Sequence, residues 1–248
     1  LVALVRTAHQ VSVASGGCYD LTIRPLYEAW GFAGEVLTQP SAEKLDQLRP
    51  QIGFANIEIV DERHLRKPTA ALRIDTNSIG QGYAVQRLAN LLEAQGVQDY
   101  LIELGGEMRV RGRKPEAQPW RVAVERPTPG EHRVHKVINV LDDQGGIAVV
   151  TSGTYRHYFD AEGTRYAHVL DARTGRPVSH DLVSVTVLHD DAGLADAWST
   201  ALLCLGPDAA LQAADQAGLA ALLIRLDGQQ FIEQRSAALN ASTRWQIE

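Results

Sequence analysis

Strand-forming and helix-forming segments alternate irregularly along these 248 residues, without the repeating βαβ order of a doubly wound sheet, and this predicts an α+β fold. Two further observations shape that expectation. The composition, 45% hydrophobic and 22% charged, suits a chain that buries one substantial core. No internal repeat and no low-complexity linker interrupts it, so residues 1–248 read as a single domain.

Residues 1–15 carry apolar side chains at helical spacing (Leu1, Leu4, Val5, Ala8, Val11) and stop at Gly16-Gly17, which predicts a first helix. A short segment ending at Trp30-Gly31-Phe32 follows Cys18–Ile23. Residues 33–70 are mixed and polar, with strand-like alternation around Phe54 and over Ile57–Val60. Gly82–Gln95 is expected to be a helix with Tyr83, Val85, Leu88, Leu91 and Leu92 on one face and Gly96 as its cap. Strands are expected at Tyr100–Leu104, Trp120–Glu125, Val137–Leu141, Ile147–Thr151 and Leu182–Leu188. A helix from Leu194 to Leu205 should stop at Gly206-Pro207. Another covers Asp208–Ala217, and the strand Leu219–Leu226 leads into the turn Asp227-Gly228.

The formal charge of −6, with no Lys/Arg block, argues against a surface that tracks nucleic-acid phosphates. Cys18 and Cys204 lack metal-ligand spacing; a disulfide is compatible with the sequence, but two buried free thiols are the expectation. Met108 is the only methionine, so Leu1 is expected to follow a removed segment whose signal peptide or lipid anchor would not be visible. No apolar run approaches the length of a membrane span.

Asp196 and Thr200 are four residues apart on a predicted helix, which stacks a carboxylate and a hydroxyl on one face. Both are hard oxygen donors of the kind Mg²⁺ prefers. The same pattern also describes a surface Asp beside a Thr bonded back to a helix carbonyl. Asp75–Gly82 precedes the long helix and could leave backbone N–H groups free for an anion such as a pyrophosphate, or simply cap that helix. Gly105-Gly106 and Thr151-Ser152-Gly153 are turn candidates, and Glu107 reads as solvated. Among eight histidines, His168 in Tyr166–Asp171 is the candidate proton acceptor; the alternative is a strand-end ring satisfied by a backbone carbonyl. His157, His180 and His189 read as surface or loop residues. The chain lacks HExxH, Walker and GxSxG motifs, so zinc peptidase, NTPase and serine hydrolase readings have no support.

Five blocks stand in order over about residues 14–226: Ser15–Asp20 with Trp30-Gly31-Phe32; Ile74–Ala84; Glu103–Glu107 with Pro119–Val122; Thr151–Arg156; and His168–Pro177 with Val183–Val187 and Ala195-Asp196. Together they resemble the ApbE family of FAD:protein FMN transferases. The resemblance implies that FAD lies against Cys18, Tyr19, Asp20, Asp75, Gln81 and Leu170. It also implies that Mg²⁺ is held by Asp196, Thr200 and the backbone carbonyl of Ser78, beside the same ligand. Three positions depart from the family pattern: Gln81 is neutral where Lys or Glu is usual, Ser199 stands where some members have Asp, and Ala172 replaces a proline. The family's N-terminal part, which helps hold adenine and riboflavin, is expected to be absent from this chain.

The implied activity is Mg²⁺-dependent transfer of FMN from FAD to a threonine or serine hydroxyl of a partner, with release of AMP. His168 would be the general base and Asp171 its orienting partner. The implied acceptor is a subunit of a membrane redox complex bearing a Ser/Thr-Gly-Ala-Thr-like segment, on the periplasmic face of a bacterial inner membrane. Two other activities fit the same parts: an FAD pyrophosphatase that yields FMN and AMP, and a non-enzymatic flavin carrier.

Overall fold

Val5, Ala8 and Val11 recur at helical spacing and are fully buried, which docks the first helix, α1 (Val2–Ala14), by one face. The computed structural model describes residues 1–34, 36–141, 145–161 and 163–248. After α1 come α2 (Arg24–Ala29), α3 (Ala42–Leu48) and a two-residue pairing of β1 (Glu58–Ile59) with β2 (Leu65–Arg66). Phe54 lies in a 3₁₀ turn, not in a strand as its neighbours' alternation suggested. That alternation is too short to recruit a partner strand, and Phe54 is instead buried against α1 through the His9 ring.

The centre of the molecule is an antiparallel six-stranded sheet. Its strands are β3 (Tyr100–Leu104), β4 (Glu107–Arg111), β7 (Ile147–Gly153), β12 (Leu182–His189), β13 (Ala220–Asp227) and β14 (Gln230–Arg235), in the spatial order β14-β13-β12-β7-β4-β3. The middle strands are mostly apolar on both faces, with the buried Ser184 and Thr186 of β12 as exceptions, because both faces are covered. Ala148, Val150, Val185, Val187, Ala221 and Leu223 join the core beneath α1, α4 (Gly80–Ala94), α5 (Ala192–Leu205) and α6 (Pro207–Gln216). Ile147, Val149, Leu222 and Ile224 face the opposite way. There they meet Val122, Val124, Ile138 and Val140 of a three-stranded sheet, β5 (Trp120–Glu125), β6 (Val134–Val140) and β15 (Trp245–Ile247).

The hairpin β8 (Tyr158–Ala161) with β9 (Thr164–Ala167) and the short pair β10 (Leu170–Asp171) with β11 (Arg176–Pro177) bring His168 to the edge of this body. A small helix, α7 (Ala237–Ala241), precedes β15. The arrangement is α+β, as expected. The apolar stripe of α4 is not the expected one: Gly82, Val85 and Ala89 face inward, while Leu88 and Leu91 are exposed. Close packing against α5 selects the small side chains for the interface. A Cβ on Gly82 would lie 2.3 Å from the Ala192 carbonyl oxygen.

Cys18 and Cys204 form a disulfide, and the expectation of two free thiols is corrected. The bond joins the turn after α1 to the C-terminal part of α5 across 186 residues of sequence. Separation in sequence gave no sign of this pairing, because packing of α1 against α5 brings the two ends together.

Candidate active site

A cleft of about 620 Å³ opens among the Cys18–Asp20 turn, the loop before α4, the β3–β4 turn, the ends of β7 and β9, and α5. It is lined by Cys18, Tyr19, Asp20, Asp75, Ser78, Gln81, His168, Leu170, Asp196 and Thr200, so that Asp171 alone of the expected site residues lies outside it. Residues far apart in sequence thus share one space of the size usual for a ligand cleft.

Asp196 is 4% exposed, and its Oδ2 accepts a hydrogen bond from the Gly82 N–H at 2.9 Å. At the start of α4 the Gly82 N–H is thus committed to a carboxylate. Burial pushes the Asp196 carboxyl up to about 7, against the lowering effect of that N–H. One turn further along α5, the Thr200 hydroxyl lies 3.1 Å from Ser152 Oγ. Ser199 Oγ is occupied, 2.9 Å from the Asp196 carbonyl and 2.7 Å from Ser152 Oγ.

Across the cleft, Tyr19 Oη donates to the Ser78 carbonyl at 3.4 Å and accepts from Ser78 Oγ at 3.2 Å. This ties the Cys18–Asp20 turn to the loop before α4. Burial raises the Tyr19 phenol well above its ordinary value, so it stays a proton donor. Asp20 braces the turn from within. Its Oδ1 accepts from the Thr22 N–H and hydroxyl, and its Oδ2 accepts from the Phe54 N–H, each at 2.7 Å. Asp75 is paired with Arg24 at 3.3 Å and accepts from the Asn77 N–H at 2.9 Å.

His168 Nδ1 lies 3.0 Å from the His157 carbonyl. A carbonyl only accepts, so Nδ1 carries the proton and Nε2 is left with its lone pair. Burial holds the imidazole below its ordinary value. Asp171 does not orient this ring: its carboxylate is bound by the Arg173 guanidinium at 2.7 and 2.9 Å and by the Arg173 N–H at 2.9 Å. The short β10–β11 turn brings Arg173 back over Asp171, and the His157 carbonyl takes the orienting role.

Glu107 is the main residue that sequence reasoning missed. It is 9% exposed, not solvated; it lines the cleft, and Oε2 has no hydrogen-bond partner among the described residues. Burial first, and the Asp196 charge next, push its carboxyl up to about 7. The available signal was the alternation of Glu107, Arg109 and Arg111 with Met108 and Val110, which marks a strand with a polar face. His157 is an exposed loop residue, as expected, and it also lines the cleft, with its ring 5.6 Å from that of His168. His180 is half-buried with both ring nitrogens shielded, while His189 is a strand-end residue whose Nδ1 accepts from the Asp191 N–H at 2.9 Å.

A divalent cation fits these donors. Asp196, Thr200 and the Ser78 carbonyl offer hard oxygens, and Glu107 adds a buried oxygen with no hydrogen-bond partner among the described residues. Among the described residues neither Asp196 nor Glu107 forms an ion pair; the Arg156 guanidinium lowers the Glu107 carboxyl from across the cleft but is itself bound to Glu125. Cys18, Asp171 and Cys204 also cluster, but both sulfurs are committed to the disulfide and offer no thiolate.

The ApbE family model matches residues 1–223. The FAD:protein FMN transferase of Escherichia coli strain K12 is 37% identical over 233 residues, covering 92% of this chain. This chain spans 65% of that relative's length. The crystal structure of the Pseudomonas stutzeri flavinyl transferase ApbE superposes with a TM-score of 0.84 at 41% identity, covering 96% of this chain and 73% of that one. The flavin transferase ApbE from Vibrio cholerae gives the same TM-score at 32% identity, covering 96% and 75%.

Proposed function

The chain belongs to the ApbE family, and from that premise we propose that it transfers FMN from FAD to a threonine or serine hydroxyl of a partner protein, releasing AMP. The observation that carries this reading is the meeting of Asp196, Thr200 and Ser78 with Tyr19 and His168 in one cleft. Asp196, Thr200 and the Ser78 carbonyl would hold Mg²⁺. Bound there, the ion would offset negative charge on the phosphate oxygens during displacement.

The chain's own groups have separable roles in this reading. Tyr19 and Ser78 brace the turn and the loop between which FAD would lie, with Asp75, Gln81 and Leu170 along the same wall. Asp20 holds the turn in shape through Thr22 and Phe54. His168 accepts the proton of the incoming hydroxyl at Nε2, because Nδ1–H is held by the His157 carbonyl. The bond that forms joins the acceptor oxygen to the FMN-side phosphorus, and the bond that breaks releases AMP.

We place the acceptor in a membrane redox complex on the periplasmic face of a bacterial inner membrane. The Cys18–Cys204 disulfide supports an oxidising compartment. No helix among the described residues is long and apolar enough to cross a membrane.

The test mixes the protein with FAD, Mg²⁺ and a fragment bearing a Ser/Thr-Gly-Ala-Thr-like segment. The expected result is an FMN mass added to the fragment, release of AMP, and loss of the adduct when the acceptor threonine is changed to alanine. Free FMN alone, whatever the acceptor concentration, means that the protein is an FAD pyrophosphatase. Unchanged FAD means that it is a carrier.

A further inference from the structure

Strand β4 opens on Glu107 and places Glu107, Arg109 and Arg111 on one face, with Met108 and Val110 on the other. Met108 and Val110 pack toward the second sheet, so the charged face turns toward α4 and α5. Arg109 is saturated there: Tyr100 Oη at 3.3 Å, Glu93 at 3.6 Å and the Gly145 carbonyl at 3.2 Å surround it, with the Asp190 carbonyl beside them. Glu107 makes no ion pair among the described residues, and the nearest positive influence on it, Arg156, is bound to Glu125. About nine-tenths of Glu107 is buried, and its Oε2 has no hydrogen-bond partner among the described residues.

The backbone around Glu107 keeps room for this carboxylate. Gly105 has φ +68°, and a Cβ there would lie 1.9 Å from Gln81 Nε2 and 3.5 Å from Glu107 Oε2. Glycine at this position therefore lets the Gln81 and Glu107 side chains occupy adjoining space at the cleft wall. Asp196 faces the same space from α5. Ser199, one turn from Asp196 on that helix, is turned inward onto the Asp196 carbonyl and Ser152. It supplies no charge to the cleft.

We infer that Glu107 is a further carboxylate ligand of the divalent-cation centre, reaching it from β4 opposite Asp196 and supplying a second negative charge that α5 does not provide. The inference rests on the cation site proposed above. An unpaired buried carboxylate is costly to fold around, and a cation shared with Asp196 removes that cost. Glu107 is thereby distinguished from Glu103, which is exposed and already accepts from the Gly106 N–H at 2.8 Å.

The test measures Mn²⁺ binding to the whole chain, without FAD, by titration calorimetry and electron paramagnetic resonance. Wild type, E107Q, E107A and D196N are compared, each first checked for a cooperative thermal melt. Gln keeps the shape and removes the charge. The expected result is an affinity lower by about tenfold or more in E107Q and E107A, with D196N at least as weak. The metal-free E107Q protein should melt no lower than wild type, because an unpaired buried charge is gone. Equal Mn²⁺ affinity in wild type and both Glu107 variants, with D196N weakened, overturns the assignment of Glu107 and leaves the cation site standing. Failure of the wild type itself to take up Mn²⁺ overturns the cation site, and this inference with it.

Discussion

At His168 the backbone decides the chemistry of the ring. The His157 carbonyl fixes the proton on Nδ1, so the nitrogen free to accept a proton is Nε2. Replacing His168 by Gln preserves volume and a hydrogen-bonding edge but removes the base. FMN transfer is predicted to fall by about 10²–10⁴-fold while FAD affinity stays within about twofold, measured by adduct formation and by fluorescence titration. An unchanged rate would remove His168 from proton transfer. At Asp196 the effect differs in kind, because one carboxylate both receives the α4 N-terminus and faces the cleft. Asp196→Asn is predicted to lower Mg²⁺-dependent turnover by about 10² or more. Raising the Mg²⁺ concentration should recover part of that loss, which a purely structural defect would not allow.

The pairing of α4 with α5 sets the site at the scale of elements. Gly82 lets the helices approach until its N–H reaches Asp196. Gly82→Ala would thrust a methyl group to 2.5 Å from Asp196 Cβ, so the helices must separate. A loss of about 1–3 kcal/mol in stability is predicted from denaturant melts, with weaker cation binding alongside it. The disulfide is the second device at this scale, fastening the turn that bears Tyr19 to the helix that bears Thr200. Closing so long a loop restricts the unfolded chain, and its loss typically costs about 2–5 kcal/mol. Full reduction, or the C18A/C204A double variant, should lower Tm by roughly 5–15 °C. A shift of less than about 2 °C would show that packing of α1 on α5 holds this region unaided.

Across the whole molecule, two buried carboxyls make stability depend on pH and on cations together. Asp196 and Glu107 are each raised to about 7 in the folded chain, from ordinary values of 3.8 and 4.5. Between those limits the folded state holds more protons than the unfolded chain. The contribution of these groups to metal-free stability is therefore fully present at low pH and is lost as pH rises through about 7. A cation bound to the deprotonated pair, as proposed, would reverse the trend. Added Mg²⁺ is predicted to raise Tm by several degrees at about pH 8 and by much less at about pH 5.5, in thermal melts at fixed ionic strength. An equal shift at both values would mean that these carboxyls do not hold the ion.

Local pattern specifies much of this protein independently of any tertiary contact. Alternation marked the strands at Tyr100–Leu104 and Trp120–Glu125, and glycine and proline stopped α5 at Leu205. Spacing put Asp196 and Thr200 on one face of a helix, because helical geometry relates residues four apart whatever surrounds them. The family resemblance named ten of the residues that line the cleft, while Ile23, Tyr27, Glu125 and His157 join it from outside the blocks. Tertiary structure decided the questions that depend on a partner distant in sequence. It chose Gly82, Val85 and Ala89 over Leu88 and Leu91 as the inner face of α4, joined Cys18 to Cys204, and gave Asp171 to Arg173. It also buried Glu107 opposite Asp196. Burial, charge coupling and covalent pairing are properties of neighbours in space. A sequence states such neighbours only through the fold that brings them together.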